Sequence, residues 1–163
     1  FLQSKNLYTV DDLENTLHSM QDKIDALKKS ASAKQARIKE VDALLRMVDY
    51  YKSGKPAADK LKSIRFEKSR QKYKSEHDNE LRTFYMAERK LKPYFKDGKL
   101  PITAWRKERA QLEQEYRDIQ SELSPLHADA KKLWAIHYNI YEVQHEQERQ
   151  NTELRQKKQE IEH

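Results

Sequence analysis

The feature that most limits what this chain can fold into is an apolar stripe that advances in unbroken alternation of four and three residues. It runs Leu13, Leu17, Met20, Ile24, Leu27, Ala31, Lys34, Ile38, Val41, Leu45, Val48. A 3.5-residue repeat draws a narrow seam along one helix face, the pattern of a coiled coil rather than of a helix laid on a broad core. The same rhythm returns at Trp105, Arg109, Leu112, Tyr116, Ile119, Leu123, Leu126, Ala130, Leu133, His137, Ile140. Neither helix can bury its seam alone, so the two stripes demand partners.

The ends of these helices have local causes. Phe1 to Asn6 reads as the tail of a preceding element, closed by Lys5-Asn6, where Asn suits a left-handed cap. Thr9 then offers an N-cap with Asp12 three residues on, and Asp11 and Asp12 place negative charge where the helix dipole favours it. Ser53-Gly54-Lys55-Pro56 reads as the end of this first helix, giving about 44 residues and about 66 Å. A short helix over 56–65 follows, with Ala57, Ala58, Leu61 and Ile64 on one side. The next spans about 68–96 through Tyr73, His77, Leu81, Phe84 and Leu91, its final turns weakened by Pro93. Asp97-Gly98 stops it, since Gly can take the left-handed conformation, and Pro101 suits the first turn of the last helix. That last helix is expected over 102–150. Its register survives Pro125, which predicts a kink within one helix rather than two domains. Beyond Tyr141 the apolar positions thin to Val143, Leu154 and Ile161, so the tail is expected to fray or to pair with something outside the chain.

Composition supports this reading. Charged residues make up 37% and hydrophobic ones 36% of 163 residues, with two glycines and four prolines. The charged residues are mostly good helix formers, and so few turn residues argue against a many-stranded fold. Disorder is the competing reading of such polarity, but disordered segments lack regular apolar stripes. The expected fold is all-α: an elongated antiparallel helical hairpin or three-helix coiled-coil bundle, read as one domain over 1–163. The chain opens at Phe1 rather than Met and reads as a piece of a longer protein. With the first helix up, the middle one down and the last up, the short middle helix leaves Leu13 to Ile24 and the tail past Leu133 uncovered. A second copy, forming a homodimer, or the rest of a larger protein would cover them.

Several functional classes are excluded or unsupported. Cysteine is absent, so disulfide and thiol chemistry are out, which is compatible with the cytosol. The longest uncharged apolar stretch, Leu133 to Tyr141, falls far short of the roughly 20 residues of a membrane span, so no membrane partner is expected. No glycine-rich phosphate loop and no local Ser, His and acid signature occur. The histidines His18, His77, His127, His137, His145 and His163 lack the close spacing of a metal site on one helix. His77 and His137 fall on apolar stripes and read as packed or half-exposed helix residues. Glu113 and Glu115 read as solvated face, and Tyr50-Tyr51 as packing at a helix end. No catalytic, metal or cofactor residue is expected, and the segment reads as no enzyme.

Charge is more informative where it is local. Between Lys52 and Lys74 stand nine basic residues against Asp59 and Glu67, a balance of +7, so the rest of the chain sums to about −1 of the net +6. Tyr51, Phe66 and Tyr73 are interleaved. Such a segment can follow a phosphate backbone in a salt-sensitive, largely sequence-independent way, with Lys60, Lys62, Arg65, Lys68, Arg70, Lys72 and Lys74 as the candidate DNA-contacting residues. Lys-rich helix faces can equally be merely solvated.

A family resemblance adds to this. Glu76-His77, Glu80-Leu81, Phe84-Tyr85-Met86-Ala87-Glu88 and Leu91, then Gly98-Lys99-Leu100-Pro101, then Glu108, Leu112 and Tyr116 resemble the helical region that follows the nuclease domain in MobA/MobL-type mobilisation relaxases of Firmicutes plasmids and conjugative elements. Tyr8-Thr9-Val10-Asp11-Asp12-Leu13-Glu14 resembles the start of that region's long helix, and Ile38-Lys39-Glu40-Val41-Asp42-Ala43-Leu44-Leu45 its later half. The resemblance covers most of residues 7 to 120 and departs at Pro125 and over Trp134 to Tyr141. It implies a bacterial cytoplasmic setting and an accessory role: contacting DNA beside the nuclease, dimerising, or presenting a surface to relaxosome or transfer proteins. The relaxase tyrosine and metal-binding histidines belong to another domain, so no catalytic residue carries over. The alternative is a coiled-coil spacer or protein adaptor with no nucleic-acid role. A helical arm of an RNA-binding enzyme shares only the basic segment.

Overall fold

A computed structural model of the chain describes residues 1–5 and 7–163. The cap expected at Asn6 lies outside them. The fold is all-α, with no strand among the described residues: α1 is Val10–Ser63, α2 Glu67–Glu76, α3 Asp78–Leu91 and α4 Ile102–Glu162, with 3-10 turns at Gln3–Lys5 and Lys92–Tyr94. No helix is long and apolar enough to cross a membrane. The residues divide into two compact units, Phe1–Ala31 with Asp118–His163, and Ser32–Arg117.

In the first unit α1 starts on a capping box. Thr9 Oγ1 accepts from the Asp12 amide at 3.0 Å, and Asp12 Oδ2 accepts from the amides of Thr9 at 3.1 Å and Tyr8 at 3.3 Å. Leu7, Leu13, Leu17 and Leu133 are buried together, with Met20, Ile136 and Ile140 packed against them. Glu14 meets His137 at 3.1 Å and Lys23 meets Glu122 at 3.2 Å. Rising numbers in α1 thus pair with falling numbers in α4, and the helices are antiparallel. The expectation of an uncovered Leu13 to Ile24 is therefore corrected: α4 covers that stretch because it runs opposite to α1, not alongside it in the same direction. α4 passes through Pro125 unbroken. It also continues to Glu162, beyond the expected end near residue 150, and every residue after Ile140 is exposed.

In the second unit α1 holds two successive partners. Ala57, Ala58 and Leu61 bury against Leu81 and Phe84 of α3, and Val41 and Val48 cluster with Leu91 and Trp105. Further back along α1, Asp42, Arg37 and Lys34 pair with Arg109, Glu108 and Glu115 of α4. Both α3 and α4 run antiparallel to α1, which replaces the up-down-up order. Between them Asp97 (φ 51°) and Gly98 (φ 72°) form the centre of a two-residue turn closed by reciprocal Lys96–Lys99 bonds of 2.9 Å. Positive φ at both central residues is the type I′ geometry that Asp-Gly favours. Gly98 therefore serves a tight turn rather than the end of α3, which stops at Leu91.

Two boundaries differ from the sequence expectation. The break at 53–56 is absent: the helices expected over 10–53 and 56–65 are one helix. Gly54 is there for close approach, since a Cβ on it would lie 2.6 Å from Phe84 Cβ and 3.1 Å from the Glu80 carbonyl oxygen. Pro56 costs the helix one backbone bond, to the carbonyl of Lys52, but both residues are exposed, so solvent can satisfy the freed carbonyl. Conversely, the helix expected over 68–96 is split at His77 (φ −115°, ψ 25°). The polar cluster Ser75, Asp78 and Asn79 is a poor helix former. The bonds His77 N–H to Tyr73 O and Leu81 N–H to His77 O, both 3.0 Å, still bridge the break.

Candidate nucleic-acid interface

The candidate site is the end of α1, the linker and α2, all in the second unit. Lys60 and Lys62 stand in the last turn of α1, Arg65 in the linker, and Lys68, Arg70, Lys72 and Lys74 on α2. All seven are exposed, and α2 buries no residue at all. Lys68 and Lys72 share one face of α2 by their four-residue spacing, as Arg70 and Lys74 share another. What fixes the short helix is Tyr73, which packs on the Ala57, Ala58, Leu61, Leu81 and Phe84 cluster. Its ring lies 4.2 Å from that of His77 and carries the Lys60 ammonium at 5.3 Å. Phe66, the residue before α2, is extended (φ −85°, ψ 130°) and 78% exposed. A large aromatic stands in water among cations.

Partnering distinguishes these cations from the others in the unit. Among the described residues Lys62, Arg65, Lys68, Arg70 and Lys74 form no ion pair, and Lys72 reaches Glu76 only at 4.0 Å. Along α1 and α4 the opposite holds: Arg37 binds Glu108 at 2.7 Å, Lys34 binds Glu115 at 2.7 Å, and Arg109 binds Asp42 at 2.5 Å and Glu113 at 2.9 Å. These contacts hold the Glu108 and Glu115 carboxyls below their usual range, chiefly through hydrogen bonds from Arg37 and Lys34. They raise the Arg37 and Arg109 guanidinium groups through hydrogen bonds to Glu108 and Asp42. Glu113 and Glu115, expected as solvated face, are thus ion-pair partners. The polar residues on the stripes now have a role: Lys34, Arg109 and His137 each meet an acid across the seam.

The remaining candidates fall out simply. Tyr51 is packed, its ring 5.0 Å from Phe84 and 5.7 Å from Phe95. His137 is a half-buried helix residue beside Glu14, whereas His77, expected on a helix, stands half-buried at the break between α2 and α3 beside Tyr73 and Glu80. Among the described residues no group of three or more His, Asp or Glu is placed to hold a metal ion. No family model, no curated protein and no solved structure matches the chain. The likeness to mobilisation relaxases rests on the residues quoted for it.

Proposed function

We propose that this chain is an accessory, non-catalytic helical part of a DNA-processing protein, contacting the phosphate backbone through Lys60, Lys62, Arg65, Lys68, Arg70, Lys72 and Lys74. The observation that supports this most directly is a run of exposed cations on a helix with no fully buried residue, of which, among the described residues, only Lys72 reaches an acid, Glu76 at 4.0 Å. Tyr73 anchors the short helix on the core and leaves its cations facing solvent, where they can neutralise phosphates and release counterions. Phe66 gives the surface an aromatic on which a base can stack. The resemblance adds the setting: the helical region beside the nuclease of a mobilisation relaxase, acting during plasmid or conjugative-element transfer.

Fluorescence anisotropy of the chain with labelled single-stranded and duplex DNA, at low and at physiological salt, tests this. The expected result is binding that weakens steeply with salt and vanishes in K60E/K62E/R65E/K68E/R70E while helicity is kept. Binding that ignores both salt and the five substitutions would sink the proposal. A second reading, a spacer or protein adaptor, draws on the exposed apolar residues at the end of α4; its pairing would scarcely respond to salt.

A further inference from the structure

An open groove of about 460 Å³ lies along α3 and the last turn of α2, lined by Lys74, Leu81, Arg82, Tyr85, Met86 and Arg89. Both helices belong to the second unit. On α3, Arg82 and Arg89 are seven residues apart, two turns or about 10 Å along one line, and Tyr85 and Met86 fall to either side of that line. Leu81, 2% exposed, belongs to the core beneath. Met86 is half-buried, and Tyr85 is 36% exposed. The Tyr85 ring is held in an edge contact with Phe84, their centroids 5.3 Å apart and their planes at 72°. An aromatic held in this way loses little freedom when another ring stacks on it. The groove therefore has an apolar floor and a cationic rim.

Charge indicates the class of ligand that fits. Three cations line the groove against one acid, Asp78, and that acid is already engaged by Arg82 at 3.0 Å. Lys74 and Arg89 form no ion pair among the described residues and are exposed. An anion with a flat apolar part satisfies rim and floor together, and a nucleotide has both: a phosphate for Lys74 or Arg89, and a base for Tyr85 and Met86. Lys74 also ends the run of cations on α2, so a strand that follows those cations arrives at the groove. Duplex DNA brings only its phosphates there, because its bases are paired and stacked inside. A single strand brings both parts.

We propose that this groove seats an unstacked base of a single-stranded nucleic acid and makes the chain prefer single strands to duplex. The inference rests on the phosphate-contacting role of Lys60 to Lys74 and adds to it the form of the strand, with Tyr85 stacking on the base and Arg89 holding a phosphate. Its test is fluorescence anisotropy at low salt with one labelled oligonucleotide of mixed sequence, alone and annealed to its complement. The single strand should bind more tightly by roughly fivefold or more. Tyr85→Leu keeps the apolar bulk and removes the ring; it should weaken single-strand binding by roughly fivefold or more and change duplex binding by less than about twofold. Tyr85→Phe should restore the preference, which a merely structural role for the ring in packing would not explain. Arg89→Glu alters an exposed side chain and leaves the contact with Phe84 intact, so it tests the groove even if Tyr85→Leu loosens α3; it too should narrow the preference. Equal or tighter binding of duplex, or a preference unchanged in both Tyr85→Leu and Arg89→Glu, overturns the groove while leaving the phosphate-contacting role standing. No binding of either form removes both.

Discussion

Two charged regions of the same unit have opposite designs. Where α1 meets α4, Lys34, Arg37 and Asp42 each face an opposite charge on the other helix, at 2.5 to 2.7 Å. Where α1 ends and α2 begins, cations follow one another with no acid across from them. In the first region charge is used up within the fold, fixing which residue of α4 stands beside which residue of α1. In the second it stays available, and the like charges repel one another until something anionic arrives. Net charge alone hides this distinction, because paired and unpaired lysines count the same.

The comparison breaks most sharply under charge reversal. K60E/K62E/R65E/K68E/R70E should weaken DNA binding by about 100-fold or more at low salt while Tm holds or rises, since repulsion is relieved. Reversing Lys34 and Arg37 should do the converse, lowering Tm and leaving anisotropy titrations almost unchanged. Next in size is Gly54→Ala, which alters no charge. Its new Cβ meets Phe84 Cβ and a backbone oxygen, so overpacking of about 1–3 kcal/mol outweighs a helix-propensity gain of about 1 kcal/mol. Denaturant melts should show a net loss; a stabilised variant would mean that α3 yields easily. Smaller still is Arg37→Ala, expected to lower Tm by about 1–4 °C because its pairs with Glu108 and Glu40 are half-exposed.

The smallest effect is that of acid. The folded Glu108 and Glu115 carboxyls lie below their ordinary 4.5, so the unfolded chain takes up protons first as pH falls. Their contribution is whole above that ordinary value and is lost as pH drops through the lower folded values. A Tm profile from neutral to pH 3 should therefore decline less in K34A/R37A than in the parent. Equal declines would assign the acid sensitivity to other carboxylates.

The seams were legible because burial follows spacing. Every residue of both stripes is buried or half-buried, and the Thr9–Asp12 cap formed as its pattern implies. Direction was not legible: the four-three rhythm is the same whichever way a helix runs, and only cross-helix pairs such as Asp42–Arg109 reveal it. Gly54 misled because glycine marks either a helix end or a close approach, and the second depends on Phe84, thirty residues on. The basic run was visible as composition. That its cations other than Lys72 lack acidic partners among the described residues was not, since partners come from distant sequence, as Lys34 and Glu115 show.

The antiparallel pairing of the first unit also bears on how the chain reaches its fold. Glu14 and His137 are 123 residues apart, whereas Asp42 and Arg109 are 67 apart, and the contacts of Gly54 with Phe84 are closer still. Loop-closure entropy grows with the logarithm of separation, so the nearer pairings have the smaller entropic cost and should form earlier. Protection against hydrogen exchange during refolding should appear around Leu81 and Phe84 first and around Leu13 and Leu17 last, starting from the chain reversal between α1 and α3.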